Sequence, residues 1–104
     1  MLVSFKSFGP IRRALTNHVL EIEVPDDSTV RLVIDRIVEI GGDEVRRLIM
    51  EGDRISGNLI VMLNKKDVST LEGENTPVHE NDEVAVLPHV QGGSPNLGNN
   101  SLLS

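Results

Sequence analysis

Between residues 20 and 38 the hydrophobic pattern changes its period from two to about 3.6, and that switch narrows the fold more than any other feature of the chain. Leu20, Ile22 and Val24 alternate with Glu21 and Glu23, as in a strand over 19–24 with one buried and one wet face. Pro25-Asp26-Asp27 ends it. Val30, Val33, Ile34, Ile37 and Val38 then fall on one stripe at helical spacing, with Asp35, Arg36 and Glu39 largely off it. Ser28 or Thr29 is placed to cap this helix with its hydroxyl. Gly41-Gly42 is placed to stop it, because glycine takes the left-handed cap conformation without steric cost.

The remaining segments supply strands for the helix to cover. Residues 2–8 read as a strand, Val3 and Phe5 alternating with Ser4 and Lys6, broken at Gly9-Pro10. Residues 11–18 read as a loop with at most one helical turn, since Ile11 and Leu15 are four apart. A short second helix is expected after the glycine pair, capped by Asp43, with Val45, Leu48 and Ile49 on one side and Gly52 at its end. Residues 58–63 are apolar on both faces, which suits a central strand with one face under a helix. Asn64-Lys65-Lys66-Asp67 reads as a turn, Val68 as part of a very short edge strand, 70–82 as a polar loop and 83–90 as the last strand. Residues 91–104 carry no charge and no period, which reads as a flexible tail. The order is an α+β layout.

Composition excludes several function classes. With 16 acidic and 10 basic residues the net charge is −6, unsuited to nucleic acid, whose phosphates need clustered Lys and Arg. A protein partner with a basic docking surface suits it better. There is no Cys, which removes disulfides and thiolate chemistry and accords with a reducing, cytoplasmic setting. No signal peptide or membrane span is visible. A domain of this size offers little cleft for an active site of its own.

Asn81-Asp82-Glu83-Val84-Ala85-Val86-Leu87-Pro88-His89-Val90-Gln91-Gly92-Gly93 resembles the C-terminal signature of the molybdopterin-synthase small subunit family: a Gly-Asp-Glu-Val turn and strand, a Pro-Pro-Val corner and a terminal Gly-Gly. Phe8-Gly9-Pro10-Ile11-Arg12-Arg13 resembles that family's first-strand end, and Asn64 the Asn that closes its third strand. The likeness covers residues 2–93 and extends more loosely to thiamine sulfur carriers, ubiquitin-related modifiers and small archaeal modifiers. It implies a β-grasp (ubiquitin-like) mixed sheet on one main helix, with a domain over 1–91 and a Gly-Gly segment and tail over 92–104. Three departures stand out. Asn81 replaces a Gly, which is tolerable because Asn also accepts positive φ. His89 replaces the second Pro. Residues 94–104 continue beyond the point where sulfur carriers of the family end, as in ubiquitin-type precursors that a protease trims.

The resemblance implies a carrier and no enzyme. Its functional group is the carboxylate of Gly93, preceded by Gly92 and released by cleavage between Gly93 and Ser94, for which a deubiquitinase-like metalloprotease would be the partner. An activating enzyme would adenylate that carboxylate with its own ATP and Mg²⁺. The product would go on to a thiocarboxylate, for a sulfur-accepting synthase or tRNA thiolation, or through a thioester to the lysines of acceptor proteins. Glycines suit this use because a chain without Cβ atoms can enter a narrow channel. Gly-Gly alone is a weak motif, as Gly41-Gly42 illustrates; its position past a strand of the family pattern gives it weight. A non-conjugating β-grasp interaction module remains the alternative, with the glycines as a linker; the tail favours the modifier over the pure sulfur carrier.

Phe8 and Leu87 have the opposite parity from the helix-facing residues of their strands, so they point to the open sheet face. The resemblance makes them the docking residues for the partner enzymes, with Pro88 and Val90 in the corner that follows. The family's third apolar docking position falls on Asp67 here. The competing reading of Phe8 and Leu87 is a cap on the core. His18, His79 and His89 lack metal-ligand spacing, Asp82-Glu83 reads as a turn and strand start, and Arg12-Arg13 and Arg46-Arg47 as solvated faces. Lys6, Lys65 and Lys66 are the only lysines, potential acceptors that nothing ranks.

Overall fold

Residues 19–23 do form a strand, and it lies at one edge of a five-stranded mixed sheet. The computed structural model describes residues 1–15 and 17–88. Its elements are β1 (Leu2–Ser7), α1 (Gly9–Leu15), β2 (Val19–Glu23), α2 (Val30–Ile49), β3 (Met50–Glu51), β4 (Arg54–Ile55), β5 (Leu59–Leu63), β6 (Lys66–Asp67) and β7 (Glu83–Pro88). The sheet order is β2-β1-β7-β5-β6, with β3 and β4 in a separate two-stranded ribbon. β1 is antiparallel to β2 and parallel to β7, and β5 is antiparallel to β7 and β6. The first and last strands of the described chain are thus neighbours at the sheet's centre. This is the β-grasp arrangement, α2 lying across one face.

Burial follows the two periods. Val30, Val33, Ile34 and Ile37 of α2 are fully buried, and with Val38 they join Val3, Phe5, Ile22, Val61, Leu63, Val84 and Val86 in one core. Complete burial of such side chains stabilises by about 1.5–3 kcal/mol each. Of the two candidate caps Thr29 does the work: its hydroxyl accepts the Leu32 N–H at 3.4 Å from an extended backbone. Ser28 is buried and donates its hydroxyl to the Pro25 carbonyl.

The glycine pair divides its tasks. Gly42 has φ 74° and ψ −155° and kinks α2, after which the helix resumes to Ile49 with Val45 and Ile49 buried. Gly41 allows close approach: a Cβ there would lie 2.1 Å from Val45 Cγ2.

Four local expectations are corrected. Residues 9–15 form a helix, not a loop; Pro10 lies in its first turn, where its missing N–H needs no partner, and Ile11 and Leu15 are buried. Gly52 (φ 64°) does not end a helix but turns the β3–β4 ribbon after α2 has stopped at Ile49. The short edge strand is Lys66–Asp67; the turn before it is only Asn64-Lys65, whose φ values of 51° and 71° suit a two-residue hairpin. Val68 is instead the buried start of a 3₁₀ turn over Val68–Thr70. The polar loop begins at the end of that turn and holds a second at Gly73–Asn75, with Thr76 and Val78 buried. The expected last strand is described to Pro88. No helix among the described residues is long and apolar enough to cross a membrane.

Candidate functional site

The sheet face away from α2 is built by the alternate residues of the same strands. On β7, Val84 and Val86 enter the core, so Ala85 and Leu87 face outward; on β5, Val61 and Leu63 enter, leaving Ile60 and Met62 outside. The register sets Ala85 opposite both Lys6 of β1 and Met62 of β5, and Leu87 opposite Ile60. Phe8, just past β1, closes the group. Together Lys6, Phe8, Met62, Lys65, Glu83, Ala85 and Leu87 line a depression of about 150 Å³.

Phe8 and Leu87 are therefore brought together, both half-buried, on the open face that their parity indicated. The Phe8 ring carries the Lys6 ammonium 5.5 Å from its centroid and meets His18 edge-on at 6.0 Å. Pro88 is exposed at the end of β7; a Cβ on Gly9 would lie 3.9 Å from its Cγ. Asp67 sits opposite Met62 across the β5–β6 ladder. Its carboxylate accepts the Ser69 N–H at 2.9 Å, and that bond, seconded by the Ser69 hydroxyl, holds it below the usual carboxylate range. Val90, Gly92, Gly93 and Ser94 lie outside the described residues, as does His89.

The start of β7 is fastened by a polar cluster. The Asn64 side chain accepts the Glu83 N–H at 2.9 Å and donates to Asp82 Oδ1 at 3.1 Å. Asp82 Oδ2 accepts the His79 N–H at 2.8 Å, and the Asp82 carbonyl accepts the Ser4 N–H at 2.9 Å. Asn81 takes φ 68°, the positive value its substitution for Gly requires. These bonds fix the register of β7. They also give Asp82 a structural task as the turn before the strand.

Sequence reasoning missed Met62, Ala85 and Glu83 as lining residues and treated Lys6 and Lys65 only as acceptors. The outward apolar residues at 60 and 62 were the available signal. A larger depression, about 320 Å³, lies beside β5 and the 68–74 segment and includes Ile55, Leu59, Val61, Asp67, Val68 and Glu74; of the positions that the resemblance singled out it contains Asp67, which does not line the Phe8–Leu87 depression. Among the described residues no group of three or more His, Asp or Glu is placed to hold a metal ion. Arg12, Arg13, Arg46 and Arg47 are exposed. The site has an apolar floor and a charged rim, next to the point where β7 ends.

Comparison with known proteins bears on what such a surface serves. The sequence profile of the ThiS family matches residues 6–93. A putative sulfur carrier protein of Archaeoglobus fulgidus is 30% identical over 74 residues, covering 71% of this chain and 83% of that protein. The crystal structure of SAMP1 from Haloferax volcanii superposes with a TM-score of 0.76 at 19% identity, covering 89% of this chain and 100% of that one. A chain of the Amycolatopsis orientalis BexX/CysO complex superposes with a TM-score of 0.65 at 23% identity, covering 88% and 99%. At these identities the two structures are alike in fold.

Proposed function

This chain belongs to the ThiS family of ubiquitin-like carriers and modifiers, and on that premise we propose that it acts as a carrier through the C-terminal carboxylate of Gly93. Cleavage between Gly93 and Ser94 frees the carboxylate, and an adenylating enzyme converts it to an acyl-adenylate, releasing pyrophosphate from ATP. The nucleotide and Mg²⁺ belong to that enzyme. Displacement of AMP by hydrosulfide gives a thiocarboxylate; displacement of AMP by an enzyme thiol and then of that thiol by a lysine amine gives an isopeptide bond. Residues 94–104 favour the second route, because a trimmed precursor delays activation until the modifier is needed.

The observation that carries this reading is the position of the Phe8–Leu87 depression beside the end of β7. Gly93 is five residues past Pro88, a reach of roughly 17 Å when fully extended. An enzyme holding the depression therefore has the glycine pair within that distance of its grip. Gly92 and Gly93 have no Cβ atoms to obstruct a narrow passage. Pro88 is exposed at the end of β7, on the way from the groove to the glycines.

The test compares residues 1–104 with 1–93 in ATP–pyrophosphate exchange with the adenylating enzyme from the same cells. The shorter form should be active and the longer inert until cleaved, since Gly93 in it is an internal amide. The mass of the chain isolated from its own cells should end at Gly93; a sulfur-for-oxygen exchange on it marks the sulfur-carrier route. Equal exchange by both forms without cleavage would leave a non-conjugating interaction module as the better account.

A further inference from the structure

Two of the chain's three lysines, Lys6 and Lys65, line the docking depression, although the chain as a whole carries −6. Neither ammonium has an ion-pair partner among the described residues. Lys6 lies over the Phe8 ring, and exposed His18 meets the ring's edge. The other charges nearby do not neutralise them. Glu83 lines the same depression without pairing to either lysine, and Asp67, across the ladder from Met62, lines the larger depression instead, so two ammonium groups face one carboxylate here. By strand parity Glu21 and Glu23 of β2 also lie on this sheet face, and both are exposed, so it is acidic at the β2 edge and basic around the groove.

From this distribution we infer that the groove receives a partner surface presenting an apolar side chain flanked by carboxylates, with Lys6 and Lys65 orienting it. The inference rests on the carrier reading and specifies the enzyme surface that reading requires. Phe8, Met62, Ala85 and Leu87 supply an apolar floor of low dielectric, beside which a charge pair closes with less water between the groups than on an open surface. The glutamates on β2 repel the same carboxylates and leave one preferred placement. A partner seated that way has the end of β7 on a fixed side. The lining of this groove carries two ammonium groups against one carboxylate, so the surface it asks for differs from the basic one that the net charge of the whole chain suits.

The experiment measures ATP–pyrophosphate exchange by the adenylating enzyme from the same cells as a function of the concentration of residues 1–93, at low and high salt. Lys6→Glu/Lys65→Glu should raise the half-saturating concentration at least tenfold and flatten its salt dependence, as loss of rim charges does. Lys6→Arg/Lys65→Arg should stay near wild type. Arg46→Glu/Arg47→Glu changes the net charge equally on an exposed part of α2 and should have little effect. Circular dichroism establishes that each variant is folded; Lys6→Gln/Lys65→Gln serves as the milder test if the reversal is not, with a smaller rise in the same direction. An unchanged half-saturation in the folded groove variants, or an equal rise in the Arg46/Arg47 control, overturns the inference while leaving the carrier reading intact. No exchange with the wild-type 1–93 form overturns the carrier reading itself, and this inference with it.

Discussion

Asn64 and Glu83 hold each other twice: the Glu83 N–H donates to the Asn64 side-chain oxygen at 2.9 Å, and the Asn64 N–H donates to the Glu83 carbonyl at 2.8 Å. Asn64 also occupies φ 51°. Its side chain thus closes the β5–β6 turn and sets the first residue of β7. Asn64→Gly keeps the backbone conformation and loses the side-chain bonds, so it should cost about 1–2 kcal/mol. Asn64→Ala adds the strain of a positive φ and should cost more. Urea denaturation of the three proteins gives the order.

Ile34 has no exposed surface and lies at the middle of the α2 stripe. Ile34→Ala should lower stability by about 2–5 kcal/mol, the range for large-to-small changes at core sites that cannot collapse. Denaturation measured by circular dichroism checks this, and a loss below 1 kcal/mol would contradict the assignment of Ile34 to the centre of the core.

Leu87→Asp tests the docking face. Leu87 is half-buried and faces away from α2, so the variant should remain folded while the activating enzyme's half-saturation rises by about tenfold or more, as for loss of an interface anchor. An unfolded variant would mean that Leu87 caps the core.

Ser7 is 1% exposed, and its hydroxyl has no hydrogen-bond partner among the described residues. It continues the helix-facing series of Val3 and Phe5. Removing an unpaired buried hydroxyl relieves a desolvation cost, so Ser7→Ala should leave stability unchanged or raise it by about 1 kcal/mol. A thermal melt reads the sign; a clear loss would reveal a partner for the hydroxyl.

Gly41→Ala should destabilise by about 1–3 kcal/mol, the usual cost of overpacking, because the added methyl would meet the side chain of Val45. A fall in the urea midpoint with an unchanged slope is the expected observation.

The parts of this fold legible in the sequence are those whose residues repeat a period against the core. The alternation through Leu20, Ile22 and Val24 and the stripe from Val30 to Val38 each encode a face, and both faces are where the period puts them. β3, β4 and β6 have two residues each, too few to show any period; their pairing is decided by the neighbouring chain and by positive-φ residues such as Gly52 and Lys65. α1 was obscured by Gly9-Pro10, which reads as a break although proline is compatible with a first helical turn. The open sheet face was half legible. Strand parity placed Phe8 and Leu87 together, but Met62 and Ala85 join them only through the ladder register of three strands, a relation between segments distant in sequence.

β7 lies between β1 and β5, with ladders on both sides, and its last described residue is Pro88. A pull on the chain beyond Pro88, directed along the strand, loads both ladders in shear at once and cannot open them one bond at a time from a free edge. The domain thus meets with two ladders in shear the kind of pull that the proposed carrier role would apply to the chain beyond Pro88.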